Sequence, residues 1–225
     1  MSSKTSSSHF SKSRASRSVQ RISILFAAII ALSTSFLAGF AWSAQSRVGV
    51  LELDPSKTLV EFRLGGTLHT THGQFQLKRG TIKADSSTAK AEGMIVVDAA
   101  SGDTGDSLRD NRMRDRILEA AKYPEITFSP RHIDGHLDPG GGFHAKLEGL
   151  LKLHGLDHEI TIDTQGTLIE DHLIVTAHFS IPYVEWGLKD PSVLFLTVAK
   201  RVDIEIATAG RVTWISGEKA ASHGL

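Results

Sequence analysis

The chain has 225 residues, of which 40% are hydrophobic and 22% are charged, as expected for a globular protein with one sizeable domain. Cysteine is absent, which excludes disulfides, thiol nucleophiles and cysteine-based zinc sites. The net charge of zero averages two unlike parts, because residues 1–44 carry five basic and no acidic side chains and leave 20 basic against 25 acidic in the rest. An acidic domain is a poor candidate for binding nucleic acid or an anionic membrane surface.

Residues 1–44 are predicted to be a leader. A basic, serine-rich stretch is followed by 21 uncharged residues, 22–42, which is typical of an export signal. Small residues predict cleavage after Ala41 or Ser43. The alternative is an uncleaved membrane anchor, because about 20 apolar residues can span a bilayer core. In either interpretation the following domain lies outside the cytoplasm, in the periplasm or beyond.

Residues 45–210 are predicted to form one all-β domain. Apolar and polar side chains alternate with period two, which places every second side chain on one face of a strand. The alternating stretches are residues 60–64, 75–77, 94–98, 126–128, 143–153, 160–162, 173–183 and 194–206. About eight strands joined by glycine-rich turns favour a closed antiparallel barrel or a sandwich, and residues 211–225 are predicted to be a flexible tail.

One segment, residues 107–122, breaks the alternation and predicts a helix. Leu108, Met113 and Ile117 recur at near-helical spacing, and Pro124 ends the segment. The preceding residues 103–107 offer side-chain oxygens for an N-cap. Arg109-Asp110 and Arg114 are interpreted as ion pairs that hold this helix across one end of the barrel.

Histidine pairs raise the possibility of a metal site. His69 and His72 are three residues apart, so on a strand they would point to opposite faces, and His154 and His158 flank a turn without a third ligand nearby. The spacing therefore favours surface histidines, and no metal or cofactor is expected.

Enzyme signatures are weak. The sequence has no Gly-x-Ser-x-Gly motif and no glycine-rich phosphate loop followed by a helix. No catalytic residue is therefore assigned, although a hydrolase with a triad assembled only in space stays open as an alternative.

Six landmarks follow one another in a recognisable order. They are residues 53–62, Gly73-x-Phe75, residues 97–105, Arg109-Asp110 with Met113-Arg114, Lys122-Tyr123-Pro124-x-Ile126-x-Phe128, and residues 149–155. In this order they resemble the YceI-like family of polyisoprenoid-binding proteins over residues 51–206. The sequence departs from the family at Ile117-Leu118, where two phenylalanines are usual.

The resemblance implies a lipocalin-like, eight-stranded antiparallel barrel, usually periplasmic, which encloses one isoprenoid chain such as a quinone or a polyprenyl lipid. Apolar parity then selects the side chains expected to line the interior: Phe62, Leu64, Phe75, Phe128, Leu151, Phe179, Ile181, Tyr183 and Leu196. Trp186 is expected to cover the mouth, and Tyr183 or Arg114 to orient a polar head. A solid-core barrel used for protein contacts, a homodimer, and membrane contact through the leader stay open.

Overall fold

The computed structural model describes residues 47–193 and 195–216, so the predicted leader lies outside the described residues. The strands are β1 (Arg47–Leu53), β2 (Leu59–Leu64), β3 (Thr71–Phe75), β4 (Leu77–Asp85), β5 (Lys90–Asp98), β6 (Glu125–Leu137), β7 (Gly142–Leu153), β8 (Leu156–Ile169), β9 (His172–Ile181) and β10 (Val202–Ser216). The helical segments are two 3₁₀ turns (Pro55–Lys57 and Ala99–Ser101), α1 (Ser107–Arg112) and a π-helical turn (Met113–Ile117). None of the helices in this part of the chain is long and apolar enough to cross a membrane.

The strands form one antiparallel sheet that closes on itself. Their order is β1-β4-β5-β6-β7-β8-β9-β10-β2-β3, and β1 also pairs with β10. Both β1 and β2 lie along β10 and share one strand position, and β3 and β4 share the next, so ten strands occupy eight positions. The predicted eight-stranded barrel is therefore confirmed, and closure removes the free sheet edges that promote aggregation.

Alternation along the strands explains the core. On β7, Leu147, Leu151 and Leu153 are buried, whereas the intervening Glu148 and Lys152 are exposed. The buried side chains of the other strands join them in a single hydrophobic cluster inside the barrel. The period-two pattern thus directs the apolar face of each strand inward and leaves the charged face in water.

The last strand differs from its prediction at both ends. β10 begins at Val202 rather than at residue 194, because residues 197–199 bond instead to the loop after β2: the Thr67 amide donates to the Thr197 carbonyl and the Ala199 amide donates to the Gly65 carbonyl. At its other end β10 continues to Ser216 and pairs with β1, so residues 211–216 are strand rather than tail. Residues 217–225 lie outside the described residues.

Candidate functional site

The barrel interior contains two apolar cavities that share no lining residue. The helix-end cavity, of about 540 Å³, is bounded by α1, the π-helical turn and the segment after β9. The hairpin-end cavity, of about 560 Å³, lies at the opposite end, where the β4–β5 turn and the β6–β7 hairpin meet. Both volumes fall within the range of small-molecule sites.

A packed layer, here called the waist, separates the cavities. On β7, Ala145 and Leu147 line the hairpin-end cavity and Leu153 lines the helix-end cavity, whereas the buried Leu151 lies between them and lines neither. The other buried side chains that line neither cavity include Val60, Phe128 and Ile162. A layer of buried side chains therefore lies between the two cavities.

The walls of the helix-end cavity are almost entirely apolar. Its lining includes Phe62, Leu64, Phe75, Ile126, Leu153, Ile181, Tyr183, Leu188, Val202 and Ile204 from the barrel, and Leu108, Met113, Ile117 and Leu118 from the helical segment. The Phe62 and Phe75 rings contact each other with centroids 5.4 Å apart. A Cβ atom at Gly73, which pairs with Phe62 on the neighbouring strand, would lie 2.5 Å from that ring, so glycine is required for this packing.

The helical segment is fixed across the barrel end by its caps. The Asp106 carboxylate accepts hydrogen bonds from the Leu108 and Arg109 amides at the start of α1, as the sequence predicted. Arg109 donates to Thr104 Oγ1 and O, and Thr104 itself donates to Asp110. The predicted Arg109–Asp110 ion pair is wrong, because both side chains bond to Thr104 instead.

Glu119, just after the π-helical turn, ties the helical segment to two other parts of the barrel end. Its Oε1 accepts a hydrogen bond from Lys189 at 3.2 Å, and its Oε2 lies 3.3 Å from His154 Nε2. The hydrogen bond from Lys189 lowers the pKa of Glu119, with a smaller contribution from His154. The His154 ring also packs on Tyr123, with centroids 4.4 Å apart.

Tyr183 anchors the segment between β9 and β10. Its side chain is buried, and its hydroxyl donates to the Ala199 carbonyl at 2.8 Å. Burial raises the pKa of Tyr183 to about 12, and the negative charge of Asp190 contributes in the same direction. The phenol therefore stays neutral at ordinary pH and already has a hydrogen-bond partner.

The charged side chains that line this cavity all come from the start of the helical segment. Asp106, Arg109 and Arg112 belong to its lining, and of these Asp106 caps α1 and Arg109 is bonded to Thr104. Arg112 is exposed and has no ion-pair or hydrogen-bond partner among the described residues. Its guanidinium is thus available to a polar group that reaches the opening.

The predicted lining residues fall into three groups. Phe62, Leu64, Phe75, Ile181 and Tyr183 line the helix-end cavity. Phe128 and Leu151 are buried in the waist, and Phe179 packs half-buried against the core without lining either cavity. Leu196 and Trp186 lie elsewhere.

Leu196 is 50% exposed and lies in the non-strand segment before β10, so its assignment to the interior is wrong. Trp186 does not line the cavity; it stacks on the His158 ring with centroids 3.9 Å apart. Arg114 bonds to Asn111 and Asp115 and is also absent from the lining.

Several lining residues escaped the sequence interpretation. Leu153, Val202 and Ile204 stood in the alternating rows but were not singled out, so parity alone could have found them. Leu188 and Pro191 come from the irregular segment after β9, where no periodic signal exists.

The outer face of the barrel is chemically different. A surface depression of about 750 Å³ is lined mainly by polar side chains, among them His136, His144, Asp163, His178 and Glu205. Within residues 47–193 and 195–216, no three His, Asp or Glu side chains are arranged to hold a metal ion. The apolar interior is therefore the stronger candidate for a ligand site.

Comparison with known proteins identifies the family. The YceI-like domain matches residues 51–209, well over half of the chain. The chain belongs to the YceI-like family. No curated protein matches it.

Solved structures share the fold of this YceI-like chain. A polyisoprenoid-binding domain from Saccharophagus degradans, implicated in plant cell wall breakdown, is 21% identical, with a TM-score of 0.56 and coverage of 72% of this chain and 98% of that one. BcnA from Burkholderia cenocepacia is 20% identical, with the same TM-score and coverage of 70% and 98%. At this identity the likeness supports the fold and not a shared ligand.

Proposed function

We propose that the chain is an exported, non-enzymatic binding protein that holds an isoprenoid-type lipid, such as a quinone or a polyprenyl lipid, inside its barrel for transport or storage. The observation that carries the proposal is the helix-end cavity, whose lining is mostly apolar and includes a few charged side chains from the start of the helical segment. Such a site suits a molecule with a long hydrocarbon chain and a small polar head. Membership of the YceI-like family, whose landmarks the sequence shares, supports the ligand class.

Affinity would come from desolvation of the chain. Each buried methylene-sized group contributes about 0.8 kcal/mol before the loss of freedom on binding is subtracted. No side chain of the cavity needs to move a proton or form a bond for this, which is why catalysis is not part of the proposal. The head would lie at the opening, near the exposed Arg112.

The waist limits how far a ligand can reach. A chain that enters the helix-end cavity meets Phe128 and Leu151 before it can reach the second cavity. A long isoprenoid therefore either extends out of the opening or displaces these side chains. Titration with polyprenols of different chain lengths would therefore show how far a ligand reaches.

Export rests on the sequence of residues 1–44, with their basic start and their 21 uncharged residues. Cleavage of this leader would release the domain into the periplasm or the medium, and retention would anchor it to the membrane. The proposal holds in both cases, because the barrel lies on the same side of the membrane.

The first test is mass spectrometry of an organic extract of the purified full chain. A stoichiometric prenylated molecule is the expected result. A clean extract from folded protein that also fails to take up a polyprenol added in detergent would contradict the proposal. It would favour a solid-core barrel for protein contacts, for which the packed waist already provides a structural basis.

A matched pair of cavity-filling variants locates the ligand. Ile126→Trp adds volume at the helix-end cavity and Val175→Trp adds it at the hairpin-end cavity, and both positions are half-buried. We expect Ile126→Trp to weaken polyprenol binding by about tenfold or more, because the cavity no longer has room for the chain, and Val175→Trp to leave it unchanged. The reverse pattern would place the ligand at the hairpin end.

A further inference from the structure

Two loops beside the opening of the helix-end cavity expose large apolar side chains. Leu68 is 74% exposed in the loop after β2, and Phe195 is 91% exposed in the segment before β10. Leu108, on the rim of the cavity itself, is 80% exposed. Exposed apolar side chains gathered at one place mark a contact surface rather than chance exposure.

These loops are tied to each other and to the cavity. Gly66 and Val198 form a β-bridge, and the Thr67 and Thr197 hydroxyl oxygens lie 2.7 Å apart. Val198 also lines the cavity. Val193 and Leu196 bond to each other through their backbones, which closes the tight turn that carries Phe195. The bonded loops hold the apolar side chains outward, beside the opening.

The charge of this surface is compatible with a membrane. Residues 65–70 carry no Asp, Glu, Lys or Arg, and residues 190–201 carry two basic side chains, Lys200 and Arg201, against one acid, Asp190, which interacts with Lys200. The exposed Arg112 lies on the same rim. Local basic groups attract anionic headgroups even though the whole domain is acidic, and an inserted aromatic ring is favourable at the interface regardless of net charge.

We infer that residues 65–70, 191–193 and 195–199, here called the docking tip, insert into the surface of a lipid bilayer and place the opening of the helix-end cavity against it. The inference rests on the proposed function, because a long isoprenoid is almost insoluble in water and must pass between protein and bilayer at a contact. Phe195 and Leu68 enter the headgroup and acyl boundary, and the basic groups around them face the lipid phosphates.

The opposite end of the barrel supplies an internal control. It also exposes apolar side chains, including Ile169 at 64% and Ile174 at 60%, but these lie on strands. A membrane that recognised only exposed apolar area would bind both ends. The docking tip differs because its apolar side chains project from loops rather than from strands.

The absence of cysteine makes the test specific. His69→Cys, at an exposed position next to Leu68, and Ile169→Cys, at the opposite end, each allow one environment-sensitive nitrobenzoxadiazole label on the otherwise unaltered full chain. With vesicles of phosphatidylcholine and phosphatidylglycerol, we expect the label at 69 to shift to shorter wavelength and to be quenched by brominated lipid. The label at 169 should not respond.

Paired variants in the His69→Cys background complete the experiment. Phe195→Ser with Leu68→Ser should lower vesicle partitioning by about tenfold or more, whereas the matched pair Ile169→Ser with Ile174→Ser should not. A response at position 169 that equals the one at 69 overturns the inference. The inference is also overturned if the emission of the label at 69 shifts without vesicles and the shift grows with protein concentration. The tip would then bind a second copy of the chain.

Failure here is distinguishable from failure of the proposed function. Lipid extraction and polyprenol uptake in detergent report on the cavity alone, and the label reports on the tip alone. A chain that retains its lipid but does not respond to vesicles would contradict only the docking tip.

Discussion

The helix-end cavity is covered by α1, the π-helical turn and the segment after β9. The hairpin-end cavity is bounded by strands and the turns between them. The two cavities have nearly the same volume and the same apolar character. What differs is the cover, which brings Arg112 and the Tyr183 anchor to one end only. The two ends of the barrel thus differ because the regular strand pattern is interrupted at one end only, by the helical segment and the segment after β9.

The largest effect is expected where the two ends are kept apart. Leu151→Asp would place a carboxylate without a partner in the waist. Because an uncompensated buried charge costs several kcal/mol, we expect the free energy of unfolding to fall by about 4 kcal/mol or more. We also expect the variant to lose bound lipid. Chemical denaturation measures it. Glu148→Ala, at an exposed position on the same strand, is the control and should change neither. Normal folding and retained lipid in Leu151→Asp would show that Leu151 is wrongly assigned to the inward face of β7.

A truncation in the waist should join the two cavities. Phe128→Ala removes a buried ring and is expected to cost about 3 kcal/mol, because the surrounding side chains only partly fill the space. The ratio of the affinity for longer polyprenols to the affinity for shorter ones should be higher in this variant than in the parent chain. Titration with a series of chain lengths checks this. An unchanged length preference would mean that ligands already pass the waist.

The Tyr183 anchor should matter only at the helix end. Tyr183→Phe removes the hydrogen bond to the Ala199 carbonyl, which should cost about 1 kcal/mol and speed lipid release by loosening the segment after β9. Release is measured by exchange of polyprenol into excess vesicles. Unchanged release would show that this segment does not limit exchange.

The same residue predicts a pH dependence. The folded-state pKa of Tyr183 is raised to about 12, so its contribution to stability is fully present below the ordinary tyrosine pKa of about 10 and is lost as the pH rises from there through 12. Unfolding midpoints measured across this alkaline range should fall more steeply in the parent chain than in Tyr183→Phe. The same pH dependence of the unfolding midpoint in both chains would contradict the raised pKa of Tyr183.

The smallest effect is expected at Glu119. Because its pKa is lowered in the folded state, its contribution is present at neutral pH and lost as the pH falls below the ordinary glutamate range. Glu119→Gln should therefore shift the acid unfolding midpoint slightly, and the shift should be smaller in a chain that already carries Lys189→Met, where only the His154 contact remains. Two shifts that simply add would show that the pair is not coupled.

Much of the barrel could be predicted because alternation is a local signal. On strands such as β7, every second residue is apolar and indicates the inward face. The helix is indicated by a change of period and by its Asp106 N-cap. The landmarks that resemble the YceI-like family then gave the closed topology.

The rest depended on contacts between distant residues. Leu196 alternates with its neighbours as a strand residue would, yet its segment bonds to the loop after β2 and leaves it half exposed. Phe128 and Leu151 were correctly expected inside, but parity cannot distinguish a side chain that lines a cavity from one that fills the core. The break between the two cavities is a property of packing across the barrel.

The waist also has a consequence for the empty protein. Its side chains belong to the hydrophobic cluster inside the barrel and line neither cavity, so their burial does not require a ligand. If the proposed function holds, the barrel stays folded after it releases a lipid, so one molecule can bind and release ligand many times.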